Sequence, residues 1–174
     1  MAGPAPERKP DETSGRGVGR APAGRFAVVA ARFDRPIPEE LAAGAASALE
    51  AGGVAGGCVE VHWVPGSFEL PQAAMALART GRYAGIVCVG VVIRGQTPHF
   101  DYIAGEAAHG LSRVALETGV PVSFGVVTAL TEAQAWERAG GAVGHRGEEA
   151  ARAALEMAGW MRGLKAGRAR PRRR

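Results

Sequence analysis

Four short strand-like segments alternate with helical patterns along this chain, and this alternation constrains the fold more than any other feature. The segments are apolar or alternate apolar with polar residues, as buried strands do, and they cover residues 26–32, 58–63, 85–92 and 121–128. Helices are predicted at 36–50, after 71 to about 80, and at 99–117, 131–139 and 144–162. Strands separated by helices form right-handed crossovers in a parallel sheet. The sequence therefore predicts a three-layer α/β fold with a four-stranded parallel sheet flanked by helices.

The two ends of the chain differ in composition from its centre. Residues 1–24 are rich in Pro, Gly and charge without hydrophobic periodicity, which predicts a disordered tail before a single domain over 25–163. Residues 164–174 are predicted as a basic tail, since 162–174 hold seven Lys or Arg and no acid, whereas the rest of the chain carries a net charge of −3. Such a run is usually only solvated, so we expect no nucleic-acid partner.

The cellular location is predicted from what the sequence lacks. No apolar run approaches the roughly 20 residues that span a bilayer, and the N-terminus has no signal-peptide stretch. Cys58 and Cys88 lie in strand-like segments, which is typical of buried thiols in a reducing compartment, and no metal-ligand spacing occurs. We therefore expect a cytoplasmic protein without a membrane partner or metal site.

The strongest candidate for chemistry follows the third predicted strand. Ligands in parallel α/β sheets bind outside the carboxyl ends of the strands. Residues 94–97, RGQT, form a Gly-containing turn whose N–H groups and following helix could bind an anion, although Gly and Thr before a helix also serve plain capping. His99 lies just beyond, where it either transfers protons or is an ordinary helix-terminal histidine.

Other residues near predicted strand ends have two interpretations each. Phe33 and Phe124 are either core residues or rings that stack on a flat heterocycle. Glu69, in the turn at 64–71, either caps a helix or accepts hydrogen bonds from a polyol. Arg138 either interacts with the C-terminus of a helix or binds phosphate through two N–H groups of its guanidinium.

Together these motifs resemble the lumazine synthases over about residues 25–160. The matching segments follow in the family's order: RFD at 32–34, VPGSFELP at 64–71, GVVIRGQTPHFDYI at 90–103, PVSFGVVT at 121–128 and ERAGGAVGHRGEEAARAALEM at 137–157. The resemblance implies a flavodoxin-like domain and a transferase of riboflavin biosynthesis. The implied reaction condenses 5-amino-6-(D-ribitylamino)uracil with 3,4-dihydroxy-2-butanone 4-phosphate to 6,7-dimethyl-8-ribityllumazine, phosphate and water, with no cofactor or metal.

The resemblance also implies a role for each matching residue. His99 corresponds to the proton-transfer residue and Phe33 to the ring that stacks on the pyrimidine. Other residues are implied to bind the ribityl chain and ring edge (Ser67, Phe68, Glu69), the pyrimidine (Val91, Val92, Ile93) or the phosphate (Gln96, Thr97, Arg138). Phe124 is implied to form a wall across a subunit boundary, and Arg146 is implied as a further substrate-binding residue.

The chain departs from the family pattern at two places. His145-Arg146-Gly147 stands where the family commonly has Asn-Lys-Gly, and Arg146 keeps the charge as a planar fork. Asp34 stands where Asn is common, and its carboxylate either weakens phosphate binding or simply starts the next turn.

The resemblance further implies a homo-oligomer. Family members form pentamers with sites at subunit interfaces, and some build sixty-subunit shells. The short 138–147 connection favours the shell, whereas the Pro-rich N-terminal segment opposes it by disfavouring an added edge strand. An enclosed riboflavin synthase is left open as a partner.

Two other functional classes compete with the enzyme. One is a shell-forming relative, or one that binds a ribityl-pyrimidine or flavin, with little catalysis, which the change at 145–146 and the basic tail suggest. The other is a generic flavodoxin-like regulatory module, which gives no reason for His99 and Arg138 to accompany the anion-binding turn.

Overall fold

A computed structural model describes residues 24–168, and the main chain folds there as the alternating pattern predicts. The strands of the main sheet are β1 (Arg25–Ala31), β2 (Val59–Val64), β3 (Tyr83–Ile93) and β4 (Val122–Ala129). They are parallel and lie in the order β2-β1-β3-β4. The helices are α1 (Pro36–Ala51), α2 (Leu70–Arg79), α3 (His99–Thr118), α4 (Glu132–Trp136) and α5 (Arg146–Arg168). The predicted α/β class and four-stranded parallel sheet are confirmed.

Helices cover both faces of the sheet. Phe26 and Val28 of β1 pack with α1 and α5, whereas Ala27 and Val29 pack on the opposite face with α2 and α3. Successive side chains of a strand point to opposite faces, so a strand buried on both sides must be apolar at every position. This explains the uninterrupted apolar run of β1 and gives the three-layer architecture.

The segment between α4 and α5 differs from the prediction. The helix predicted over 131–139 is only the five-residue α4, and α5 begins two residues later than predicted. Between them lie two short antiparallel strands that the sequence did not predict, β5 (Ala139–Gly141) and β6 (Gly144–His145). Gly140 and Gly144 have φ values of 108° and 123°, which no helix accommodates. Because of these glycines, the chain forms a hairpin between α4 and α5 where the sequence predicted helix.

Helix α5 is longer than predicted, since the structure describes it from Arg146 to Arg168. Residues 164–168 of the predicted basic tail thus continue this helix. The remainder of that tail and residues 1–23 of the predicted disordered segment lie outside the described residues. No helix within the described part of the chain is long and apolar enough to cross a membrane.

A charged cluster joins the amino ends of three strands. The Glu60 carboxylate on β2 accepts hydrogen bonds from the Tyr83 hydroxyl and the Arg25 guanidinium, and Arg82 donates to it at 3.2 Å. The Tyr83 hydrogen bond lowers the pKa of Glu60 most, the two guanidinium groups lower it further, and desolvation opposes them. Because the cluster lies away from the carboxyl ends of the strands, we assign it to stability.

Replacing Glu60 is expected to make the Tm less sensitive to a fall in pH. Folding lowers the pKa of the Glu60 carboxyl group, so its charged form stabilises the folded chain. This contribution is complete above the pKa of the unfolded state and is lost as the pH falls through the pKa of the folded state. Glu60→Gln should therefore lower the Tm at pH 7, and the deficit should shrink towards pH 3. Thermal melts by circular dichroism measure it, with Glu106→Gln, an exposed glutamate outside the cluster, as control. A deficit that stays constant with pH contradicts the assignment.

Candidate active site

The carboxyl ends of β1 and β2 are joined through their loops. The amide of Arg32 donates to the Val64 carbonyl at 2.8 Å, and that of Phe33 donates to the Pro65 carbonyl at 3.1 Å. Phe33 is 68% exposed and Phe68, in the turn after β2, is 54% exposed. Phenylalanine is usually buried, so two exposed rings at the ligand-binding edge of an α/β sheet indicate a surface for an apolar, flat group.

The loop that carries Phe33 contains a left-handed residue. Asp34 has a φ of 52°, and it is the one positive-φ residue other than Gly among residues 24–168. Asn and Asp tolerate this conformation better than other side chains that bear a Cβ. Position 34 is therefore constrained by the turn, which supports the interpretation that Asp34 starts the turn before α1.

Two predicted substrate-binding residues are buried in the structure. The Ser67 side chain is only 5% exposed, and its hydroxyl donates to the Val91 carbonyl at 3.5 Å. A Cβ on Gly90 would lie 2.7 Å from the Ser67 Oγ, so a larger residue there would displace the Ser67 hydroxyl. Val91 also buries its side chain, against α1 and α5. Ser67 and Val91 are therefore part of the packing under the turn, whereas Glu69 is half-buried at the N-cap position of α2 and makes no side-chain cap hydrogen bond there.

The loop after β3 presents the predicted anion-binding turn. Val92 and Ile93 are half-buried at the end of the strand, and the Arg94 amide donates to the Ala129 carbonyl at 2.9 Å. Gln96 and Thr97 are exposed beyond that bond. The bond anchors the base of the turn to β4 and leaves its tip open to a ligand.

His99 is the first residue of α3, as predicted, and its side chain is exposed. The helix has 20 residues, and the positive end of its dipole lies next to the turn at 94–97 because the helix begins directly after it. A histidine here stands directly beside the place where an anion is expected to bind. An imidazole can accept or donate a proton near neutral pH, so this position suits general acid–base catalysis.

Phe124, Arg138 and Arg146 form a second group. Phe124 is 40% exposed on β4 and, with Arg146, lines a cavity of about 470 Å³ between β4, α5 and the end of α3. The Arg146 amide donates to the Arg138 carbonyl at 2.8 Å, which joins Arg138 to this group through the backbone. None of the exposed residues at the carboxyl ends of β1, β2 and β3 lines the cavity. Within one copy the predicted site residues are therefore divided.

Each arginine of the second group already has a local partner. Arg138 donates to the Gln134 carbonyl at 2.8 Å, which fits the alternative role at the C-terminus of α4, and Arg146 pairs with Glu149 at 2.7 Å. Both side chains keep some exposure to solvent. A guanidinium has five donors, so either arginine can also bind phosphate.

Within residues 24–168 the two cysteines differ, since Cys88 is buried as predicted whereas Cys58 is only half-buried. No three His, Cys, Asp or Glu side chains lie close enough together to hold a metal ion there. Burial raises the pKa of the Cys88 thiol, so it is not a ready nucleophile. The sequence interpretation gave no role to His145, although it stands just before α5 with an acidic residue three positions later, a signal of helix capping.

The family model described as 6,7-dimethyl-8-ribityllumazine synthase matches residues 23–162. The matched range contains both groups of candidate residues and the hairpin between α4 and α5. It also extends across the whole sheet.

Proposed function

This chain belongs to the 6,7-dimethyl-8-ribityllumazine synthase family, and we propose that it condenses 5-amino-6-(D-ribitylamino)uracil with 3,4-dihydroxy-2-butanone 4-phosphate. The products are 6,7-dimethyl-8-ribityllumazine, one phosphate and two water molecules. The family match over residues 23–162 is the observation that carries the proposal. The exposed rings, turn and histidine at the carboxyl edge of the sheet support it.

In this proposal the pyrimidine binds at the loops after β1, β2 and β3. Phe33 stacks on the heterocycle, because its ring is exposed and its backbone is fixed to the neighbouring turn. Glu69 accepts hydrogen bonds from the ribityl hydroxyls, and the half-buried Ile93 contacts the ring edge. Ser67 holds the turn in place from below.

The phosphate binds at the start of α3. Backbone N–H groups of the turn that holds Gln96 and Thr97 and the positive end of the helix dipole supply its donors. Arg138 and Arg146 supply the positive charge that two phosphate oxygens require, through charge-assisted hydrogen bonds. Binding both substrates together makes the condensation effectively intramolecular.

His99 moves protons in three steps. The 5-amino nitrogen attacks the ketone carbon, and loss of the first water needs a proton on the departing oxygen. A proton then leaves the carbon next to the phosphate-bearing one, and the C–O bond to phosphate breaks. Protonation of the resulting enol at its terminal carbon gives a ketone, which the ribitylamino nitrogen finally attacks, and the second water leaves. An exposed imidazole beside the phosphate turn can accept and return these protons.

We further propose that a second copy of the chain completes the site. Phe124 and Arg146 line the cavity on the β4 side, away from the loops that carry Phe33 and His99. Leu116 and Met157 line the same cavity and are more than two-fifths exposed, so this flank is apolar enough to pack against another subunit. One copy would then supply the pyrimidine-binding loops and its neighbour the aromatic wall and arginines.

The proposal is tested by mixing the purified protein with both substrates and following lumazine absorbance. We expect a rate well above that of the uncatalysed mixture, and no product when either substrate is omitted. If the protein binds the ribityl-pyrimidine without raising the rate, the proposal is wrong. The binding-only relative, which the His145-Arg146 change suggests, would then be the better account.

Replacing Arg138 is expected to weaken binding of the phosphate-bearing substrate. Arg138→Ala should raise its KM about tenfold, because a charge-assisted hydrogen bond to phosphate is lost. The KM for the pyrimidine should stay within about twofold, since that substrate carries no phosphate. Steady-state kinetics measure both, with Arg113→Ala on the exposed face of α3 as control. A lower Tm with both KM values unchanged would mean that Arg138 only caps α4.

A further inference from the structure

We infer that His145 is a positioning residue, whose imidazole caps α5 and thereby fixes the hairpin that carries Arg138 and Arg146. Arg138 directly precedes β5 and Arg146 directly follows β6, so the two arginines stand at the two ends of one hairpin. The inference rests on the proposed phosphate-binding role of these arginines. It assigns a task to a residue that itself touches no substrate.

The cap is made by a ring nitrogen. The Glu148 amide donates to the His145 Nδ1 at 3.4 Å, from three residues further along the chain. A residue before a helix normally satisfies a free amide there with a side-chain oxygen, most often from Asn, Asp or Ser. For Nδ1 to accept this hydrogen bond, the ring proton must lie on Nε2. The capping form is therefore the neutral Nε2–H imidazole.

The ring is also held by the shape of α1. A Cβ on Gly44 would lie 2.2 Å from both Cε1 and Nε2 of the His145 ring, so the ring lies against the helix backbone where only glycine leaves room. Nε2 is buried there without a hydrogen-bond partner among the described residues. Packing alone thus fixes this end of the ring, while Nδ1 faces the start of α5.

The ring position controls the backbone on both sides. His145 pairs with Ala139 in the hairpin, and the next amide, that of Arg146, donates to the Arg138 carbonyl at 2.8 Å. A shift of the ring therefore moves both arginine backbones together. Bidentate phosphate contacts depend closely on guanidinium position, so such a shift weakens phosphate binding before it affects the pyrimidine.

The variants His145→Ala and His145→Asn separate the effect of losing the helix cap from the effect of a smaller side chain. Alanine removes the cap, and we expect about a fivefold higher KM for the phosphate-bearing substrate, with kcat and the pyrimidine KM within about twofold. Asparagine is smaller than histidine but supplies a capping oxygen, so His145→Asn should restore the KM to within about twofold of the unmodified protein. Steady-state kinetics with both substrates measure these values.

Gly44→Ala tests the same contact from the other helix. The added Cβ collides with the His145 ring and should displace the cap, which raises the KM for the phosphate-bearing substrate about as much as His145→Ala does. In a His145→Asn background the ring is absent, so Gly44→Ala should have a markedly smaller effect. The difference between the two backgrounds is the coupling between these positions.

Three kinetic outcomes overturn the inference: unchanged KM values in His145→Ala, a raised KM in His145→Asn, or the same effect of Gly44→Ala in both backgrounds. Titration with inorganic phosphate by calorimetry separates this inference from the proposed function. If the unmodified protein does not turn over, the proposed function fails, yet about fivefold weaker phosphate binding by His145→Ala, restored by His145→Asn, still supports positioning. Absence of phosphate binding by the unmodified protein overturns the inference as well.

Discussion

His99→Ala is expected to lower kcat at least about a hundredfold, the largest effect on activity of any single change considered. Proton transfer by a positioned side chain typically contributes about 10²- to 10⁴-fold to an enzymatic rate. The proposed reaction needs a proton moved in each of its three bond-breaking steps, and His99 is the histidine that stands at the start of α3 beside the phosphate turn. Stopped-flow absorbance with both substrates saturating measures the chemical step.

The matched control is His109→Ala. His109 is exposed on the same helix, well away from the carboxyl ends of the strands, so its replacement should leave kcat within about twofold. The KM values of His99→Ala should change much less than its kcat if the imidazole acts in the chemical steps. A His99→Ala variant as active as His109→Ala would remove His99 from the mechanism.

Gly147→Ala is expected to lower the free energy of unfolding by about 3 kcal/mol, the upper range for overpacking a core. A Cβ at this position would lie 2.1 Å from the Leu41 carbonyl oxygen and 2.9 Å from its carbonyl carbon. Both are backbone atoms, so no side-chain rotation relieves the contact and α1 must move away from α5. Urea unfolding at fixed protein concentration measures the change.

Gly159→Ala, on the same helix, serves as its control. A Cβ there meets no atom within 4 Å, so alanine should raise the free energy of unfolding by roughly 0.5 to 1 kcal/mol through its better helix propensity. Opposite signs for the two variants are the expected result. Equal stability of Gly147→Ala and Gly159→Ala would show that α1 and α5 do not pack as closely as described.

The main sheet could be predicted from the sequence because its signals are local. Each strand is a short apolar or alternating run, and β1 lies within one residue of its predicted range. The hairpin after α4 could not be predicted in this way. It depends on positive φ angles at Gly140 and Gly144 and on the contact between His145 and Gly44, a residue far away in sequence. Apolar periodicity carries no information on either.

The candidate site was predictable to the extent that strand ends converge in a parallel sheet. This rule places Phe33, the turn at 94–97 and His99 at one edge without any knowledge of contacts. The inward direction of the Ser67 hydroxyl was not predictable, since it depends on a contact with Gly90 of β3, far away in sequence. Likewise, only the folded chain reveals that Phe124 and Arg146 share a cavity apart from the other residues.

The balance of products tests the central claim most directly. Purified protein, given both substrates, should release phosphate and form 6,7-dimethyl-8-ribityllumazine in equal molar amounts, at a rate that His99→Ala lowers at least about a hundredfold. Both products are measured in the same samples, by absorbance for the lumazine and a colorimetric assay for phosphate. Phosphate without an equal amount of lumazine, or a rate no higher than that of the protein-free mixture, would contradict the account.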